Sequence, residues 1–253
     1  MVLAIDFPPI SHAIEWPDLF GTNGAFAINK VVLLMWLSAA IVFGLFFAAS
    51  RRQQLVPTGV QNVGESIVDF IREGIILQTM GAEGLYWTPF LLTVFSFVFV
   101  CNIWEIIPVA QMPVNARIAV PILLALTVWV LYHFIGIKKQ GFFAYFKSAC
   151  VPPGVPKPIL PLVFLIELVG IMITRPLSLS VRLFANMLAG HLLLISFAVL
   201  STALFESTYI GAIVPGALLV ALTGFELLVA VLRAYIFTIL TAVYIGGAMH
   251  PEH

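Results

Sequence analysis

The feature that most constrains this chain is a series of apolar runs, each long enough to cross a lipid bilayer. A transmembrane helix needs about 20 mostly apolar residues. Residues 31–50 (VVLLMWLSAAIVFGLFFAAS) form such a run, which ends at Arg51 and Arg52. Only 9% of the 253 residues are charged and 61% are hydrophobic, whereas soluble domains carry about 25% charged residues. The sequence therefore predicts an all-α integral membrane protein.

The order of apolar and polar segments predicts a single membrane domain over residues 1–253. We expect two to three upright transmembrane helices, one amphipathic interfacial helix, and a long, strongly tilted C-terminal helical hairpin. In chain order, the predicted parts are an external N-terminal segment at 1–28, a first span at 31–50, an interfacial helix at 60–78, a helical hairpin at 86–137, a cytoplasmic loop at 138–158 and the tilted hairpin at 160–248.

The segment 60–78 is amphipathic and therefore differs from the spans. Apolar side chains such as Val60, Ile67 and Ile71 recur at helical spacing, and polar ones such as Glu65 fill the other side. A helix of this kind lies in the membrane interface. Packing on the surface of a partner is the alternative, and it leaves the topology unchanged.

Basic residues indicate which ends of the spans face the cytoplasm. The predicted inner side holds Arg51, Arg52, Arg72, Lys138, Lys139, Lys147 and Lys157, and the outer side holds Lys30 and Arg117. Cytoplasmic loops carry an excess of Lys and Arg. The sequence therefore predicts a multi-pass protein with its N-terminus outside and its C-terminus in the cytoplasm.

Two long apolar segments, at about 160–205 and 210–248, form the predicted C-terminal hairpin. Each is longer than the ~20 residues that an upright helix needs. Either each arm is strongly tilted, as we favour, or each is broken into a short and a long piece. Pro176 and Pro215 are the candidate bends.

The stretch RPLSLSVRLFANMLAGHLLL, which begins at Arg175, places charge within this apolar sequence. Ser178, Arg182 and Asn186 recur at i, i+4 and i+8 and so share one helix face. A guanidinium keeps its charge, which costs roughly 2.5–3.5 kcal/mol at mid-membrane on insertion scales. Arg175 fits a residue that reaches the membrane surface, but Arg182 needs a wet cavity, a carboxylate or an ion path. His191 lies on the other side of the helix.

The second arm adds Glu226 and Arg233, seven residues apart on one face, and Glu167 lies near the start of the first arm. A carboxylate and an imidazole can pass protons between waters, and a fixed cation can hold a carboxylate in its charged form. These residues indicate a proton path. The sequence offers no nucleophile–base pair, phosphate-binding glycine loop or metal-ligand cluster, so we expect no catalytic site, cofactor or metal.

The run SLSVRLFANMLAGH at 178–191 resembles the signature of subunit a of bacterial F-type ATP synthases. Three other segments support the resemblance. The segment NIWEIIP, which contains Asn102 and Glu105, is similar to the family's Asn-x-x-Asp/Glu-x-x-Pro, and Arg175-Pro176 is also typical of the family. The ending FELLVAVLRAYIFTILTAVYI resembles the family's last helix.

The resemblance implies roles for individual residues. Arg182 matches the essential arginine that faces the ring of c subunits and separates two aqueous half-channels. Asn186 matches a polar position on the proton route, which Ser178 is expected to line as well. His191 and Glu226 match a His–acid pair that forms a relay in the outer half-channel. Arg233 stands where many members have Gln, so we expect it to have a tuning or structural role, together with Arg175, Glu167, Asn102 and Glu105.

The resemblance also implies partners and a location. The partners are the ring of c subunits, the b subunits of the peripheral stalk and the rest of the F1Fo ATP synthase, with lipid and protons but neither nucleic acid nor nucleotide. The location is the plasma membrane of a bacterium. The residues alone leave two other functions open. One is a self-contained proton antiporter that binds its substrate through Arg182 and Glu226. The other is a scaffold whose buried charges fix the helix register.

Overall fold

A computed structural model of the chain describes residues 29–51, 54, 56–107, 114–151, 158–207 and 213–249. No β-strand occurs among them. The predicted external segment at 1–28, the middle of the predicted loop at 152–157 and the C-terminal tail at 250–253 lie outside the described residues. In chain order the α-helices of eight or more residues are α1 (Lys30–Arg51), α2 (Val60–Ile71), α3 (Thr88–Ile103), α4 (Ala119–Gln140), α5 (Phe142–Cys150), α6 (Leu160–Val169), α7 (Arg175–Ser207) and α8 (Ile213–Met249).

Five helical stretches of the described chain are long and apolar enough to cross a membrane. They are Lys30–Arg51, Ala82–Ile103, Ala119–Gln140, Leu160–Phe205 and Ile213–Met249. The last two form a long C-terminal helical hairpin. The prediction of an all-α integral membrane protein is therefore confirmed.

The helix predicted as interfacial begins at Val60 and continues beyond α2 as a π-helical turn, Arg72–Ile76, and a last turn, Leu77–Thr79. Part of its apolar face is uncovered, since Val60 and Phe70 are 49% and 43% exposed. An uncovered apolar stripe is what both predicted settings of this helix require.

The predicted loop at 138–158 contains a helix, α5, which the sequence analysis did not predict. Gly141 separates α4 from α5 with a φ of 85°, a left-handed conformation in which glycine is favoured. After this turn the ring of Tyr145 lies directly against Gly136, where any side chain would overlap it. Burial raises the pKa of Tyr145 to about 12 and also raises that of the Cys150 thiol, so both groups stay neutral at physiological pH.

The two arms of the C-terminal hairpin differ in regularity. The first arm passes from α6 through a π-helical turn, Gly170–Thr174, into α7, whose second residue is Pro176. The second arm, α8, is described as one α-helix, and Pro215 falls in its first described turn. A straight helix of 37 residues is about 55 Å long, against a hydrocarbon core of about 30 Å. A strong tilt therefore remains our expectation for α8.

The described residues fall into two compact units. The first contains 29–44, 96–107, 114–117, 184–207 and 213–234, and the second contains 45–51, 54, 56–95, 118–151, 158–183 and 235–249. Because α7 and α8 each contribute to both units, the candidate residues divide between them. Glu105, His191, Glu226 and Arg233 belong to the first unit, and Arg175 and Arg182 belong to the second.

Candidate functional site

Four ionisable side chains are buried together in the first unit. Glu105 follows the end of α3, His191 lies on α7, and Glu226 and Arg233 lie two turns apart on α8. Their exposed fractions are 6% for Glu105, 7% for His191, 7% for Glu226 and 4% for Arg233. We call these four residues the buried charge cluster.

Arg233 lies between the two carboxylates of the cluster. Its Nη2 is 3.6 Å from Oε2 of Glu226, and its Nη1 is 4.0 Å from Oε2 of Glu105. The other oxygen of Glu105, Oε1, is 3.8 Å from Nδ1 of His191. The four groups therefore form a chain in the order Glu226, Arg233, Glu105, His191. The side chain of Arg233 is thus directed towards Glu226 and Glu105.

The backbone of α7 completes the surroundings of Arg233. Its Nη2 donates to the carbonyl of Asn186 at 3.2 Å, and its Nη1 contacts Sδ of Met187. On the same helix, Gly190 leaves space for the carboxylate of Glu226, because a Cβ at this position would overlap it. The glycine of the LAGH sequence thus allows Glu226 of the second arm to approach the first arm closely.

A tight turn after α3 holds Glu105 in the cluster. The N–H of Glu105 donates to the carbonyl of Asn102 at 3.2 Å. The side chain of Asn102 in turn donates to the carbonyl of Ala230 on α8 at 3.4 Å and accepts a bond of 2.8 Å from Asn115. Asn102 and Asn115 are both fully buried. These contacts tie the end of α3 to α8.

The environment of Glu105 favours its protonated form. Burial, followed by the nearby charge of Glu226, raises the pKa of Glu105 from 4.5 to about 8, although the guanidinium of Arg233 acts in the opposite direction. A carboxyl group with such a pKa binds and releases a proton near neutral pH. The sequence alone predicted only a tuning or structural role for Glu105, because no local pattern connects it to His191, which lies 86 residues later.

The polar residues predicted along one face of α7 are all exposed, namely Ser178, Arg182 and Asn186. Between them, Leu179 and Leu183 are buried, with exposed fractions of 3% and 2%. The helix therefore has an exposed polar stripe and a buried apolar face, the latter continuing to His191. A permanent cation on the exposed face of a membrane-spanning helix needs a polar or charged neighbour.

The two remaining candidates, Arg175 and Glu167, are partly exposed residues of the second unit. The guanidinium of Arg175 lies 5.6 Å from the centroid of the Tyr244 ring, a distance at which a cation is attracted to the ring face. Glu167 lies on α6, near the start of the first arm.

Comparison with known proteins identifies the family. Residues 32–246 match the family model described as "ATP synthase A chain". The chain belongs to this family. Among its relatives, the ATP synthase subunit a of Frankia alni is 44% identical over 94% of this chain and 84% of its own length. That of Streptomyces lividans is 40% identical over 98% and 89%, and that of Rhodococcus erythropolis is 42% identical over 95% and 91%. The similarity therefore extends over most of the length of these relatives, and the family match includes both arms of the hairpin.

Proposed function

We propose that this chain is the proton-conducting stator subunit of an Fo motor, which couples proton movement across the membrane to the rotation of a ring of c subunits. The observation that carries the proposal is the exposed position of Arg182 on a membrane-spanning helix. A guanidinium remains protonated there and can attract the ionised carboxylate of a passing neighbour. In this proposal Arg182 also separates two half-channels, since a fixed positive charge repels a proton.

The buried charge cluster is the proposed relay of the outer half-channel. Its ion-pair distances of 3.6 to 4.0 Å exceed those of direct hydrogen bonds, which are about 2.7–3.2 Å. Protons would therefore pass between these groups through water. Glu226, Glu105 and His191 accept and release the proton, and Arg233 holds the carboxylates in position. Asn186 and Ser178 lie on the same helix as Arg182 and are proposed to line the route.

The net charge of the cluster supports this role. With both carboxylates ionised and His191 neutral, the cluster carries a charge of −1, because Arg233 neutralises one carboxylate. A buried net charge is unfavourable, and a single added proton removes it. The cluster is thus expected to hold one exchangeable proton, shared among Glu105, Glu226 and His191.

The proposal includes the partners and the orientation of the chain. The rotor carboxylate belongs to the c subunits, and the b subunits of the peripheral stalk would hold this chain still. The whole chain serves as one membrane domain of a bacterial plasma membrane, with its N-terminus outside and its C-terminus in the cytoplasm. It binds no nucleotide and has no catalytic site of its own.

Replacement of Arg182 tests the proposal in the assembled complex. Arg182→Ala should abolish ATP-driven proton pumping in inverted membrane vesicles, while the complex still assembles. Arg72→Ala, which removes an exposed arginine from the π-helical turn after α2, should leave pumping unchanged. Normal ATP synthesis by the Arg182→Ala complex would contradict the proposal.

Two experiments distinguish the proposed function from the two alternatives. The first uses liposomes that contain the chain alone, and the second uses substitutions in the assembled complex. A self-contained antiporter would transport protons without a ring of c subunits, whereas the stator subunit should be inert. A scaffold would keep its activity when Arg182 is replaced by Met or Glu226 by Gln, whereas the proposal predicts that both substitutions impair pumping.

A further inference from the structure

The π-helical turn Gly170–Thr174 leaves one backbone carbonyl without a partner in its own helix. The N–H of Arg175 donates to the carbonyl of Gly170, five residues earlier. In this pattern the next carbonyl, that of Ile171, would receive its bond from residue 176. That residue is a proline, which has no N–H.

Two side chains of α4 donate to this carbonyl instead. The indole Nε1 of Trp129 lies 3.2 Å from the oxygen of Ile171, and the hydroxyl of Tyr132 lies 3.1 Å from it. Trp129 and Tyr132 are three residues apart and therefore share a helix face. Both Tyr132 and Ile171 are buried, with exposed fractions of 2% and 1%. Burying a carbonyl without a hydrogen-bond partner costs free energy, so the two donors stabilise the π-helical turn.

The turn determines how α7 is rotated relative to α6. A π-helical turn contains one more residue than an α-helical turn, and one residue corresponds to about 100° of rotation. If the turn became α-helical with the same number of residues, each side chain of α7 would point where its successor points now. Arg182 would take the direction of Leu183, which is 2% exposed.

Proline alone does not select this geometry. In a regular α-helix the ring of Pro176 would clash with the carbonyl of Met172, four residues earlier. A helix can answer such a clash by a kink as well as by a wider turn. The donors on α4 favour the wider turn, because the Ile171 carbonyl can accept both bonds only when it makes no bond within its own helix.

We propose that Trp129 and Tyr132 are positioning residues that set the rotation of α7 and thereby keep Arg182 on the exposed face of the helix. The effect on rotation rests on the geometry of the turn, and the effect on pumping rests additionally on the proposed function of Arg182.

Spin labels in the full-length chain in lipid nanodiscs measure the rotation directly. Residues 178 and 185 are both exposed, so a spin label at either position starts on the accessible face of α7. In the double variant Trp129→Phe, Tyr132→Phe, the label at 178 should turn towards the direction of buried Leu179 and lose collisions with oxygen several-fold. The label at 185 should turn towards the exposed direction of Asn186 and stay accessible. The control, Trp36→Phe with Tyr86→Phe, removes an indole and a hydroxyl from residues that are 74% and 83% exposed, and should change neither label.

Deletion of one residue provides a rescue that a merely structural defect would not show. Removal of Ile173 together with Pro176→Ala converts the turn to a regular α-helix and restores the original direction of Arg182. In the double-variant background it should restore the accessibility at position 178, and in the assembled complex it should restore proton pumping.

The outcomes distinguish the positioning role of Trp129 and Tyr132 from the proposed function of Arg182. Unchanged label accessibility in the double variant would overturn the positioning role, whatever happens to pumping. The predicted change in accessibility with undiminished pumping would support the positioning role and contradict the proposed function of Arg182. Failure of the Ile173 deletion to restore accessibility would also overturn the positioning role.

Discussion

Gly190→Ala should impair proton conduction without preventing the complex from assembling. The added methyl group overlaps the carboxylate of Glu226, which is the end of a flexible side chain. That carboxylate can turn away, so we expect it to move and the helices to stay in place. Overpacking a well-packed site costs about 1–3 kcal/mol, and replacing a mid-helix glycine by alanine returns up to about 1 kcal/mol. The net change in stability should therefore be small.

The functional loss follows from the distance between Glu226 and Arg233. At 3.6 Å and an effective dielectric constant of about 20, the attraction between unit charges is about 4.6 kcal/mol. A displacement of about 1 Å lowers it by about 1 kcal/mol, which corresponds to about a fivefold change in a protonation equilibrium. We expect ATP-driven pumping by the Gly190→Ala complex to fall by at least this factor at neutral pH.

Gly224→Ala provides a matched control for this substitution. Gly224 also lies within a helix of the hairpin, and a Cβ there meets no atom within 4 Å. This variant should assemble and pump normally, with a thermal stability equal to or slightly above that of the unmodified complex. If the Gly190→Ala and Gly224→Ala complexes pumped equally well, the close contact between Gly190 and Glu226 would have no functional consequence and the reasoning would fail.

Three further predictions concern single side chains. Because the pKa of Glu105 is raised to about 8, infrared difference spectra should show a carboxylic C=O band that disappears as the pH rises through about 8. Glu105→Gln should abolish this band and the control Glu83→Gln, at an exposed residue, should keep it; a midpoint near 4.5 would contradict the assignment. Arg233→Gln should lower pumping but not eliminate it, since the unpaired carboxylates can bind protons instead; complete loss in the vesicle assay would show that Arg233 has a larger role. Gly136→Ala should lower the thermal stability by about 1–3 kcal/mol, because the ring of Tyr145 fills the space of the new methyl group; calorimetry showing no change would refute this contact.

The pattern of apolar runs was sufficient to predict the membrane fold. The first span, predicted at 31–50, is the helix Lys30–Arg51, because a run of this length has no stable alternative to a helix in lipid. Helix α5 was not predicted, since it lies among lysines and prolines that are typical of loops. Its position depends on Gly141 and on the contact between Tyr145 and Gly136, and such a contact is a property of the folded chain.

In the candidate site, too, local spacing predicted the features within one helix but not the contacts between distant segments. Helical spacing was enough to place Ser178, Arg182 and Asn186 along one face, which the structure shows as exposed. It could not relate Glu105 to His191 or Arg233, because these contacts join three separate segments. The unusual arginine at 233 was the available signal, since a buried guanidinium has five N–H donors, more than the single carboxylate of Glu226 pairs with.

The position of Arg233 bears on why a relay for protons would contain a permanent cation. Without it, Glu105 and Glu226 would each favour the neutral acid in a buried site, and both would hold their protons firmly. A guanidinium 3.6 Å from one carboxylate and 4.0 Å from the other stabilises one negative charge, so that one acid is ionised while the other is protonated. Such a pair can accept a proton on one carboxylate and release one from the other without passing through a doubly charged state. An arginine in this place is thus compatible with proton transfer, and in the proposed relay it would fix the number of protons that the cluster holds.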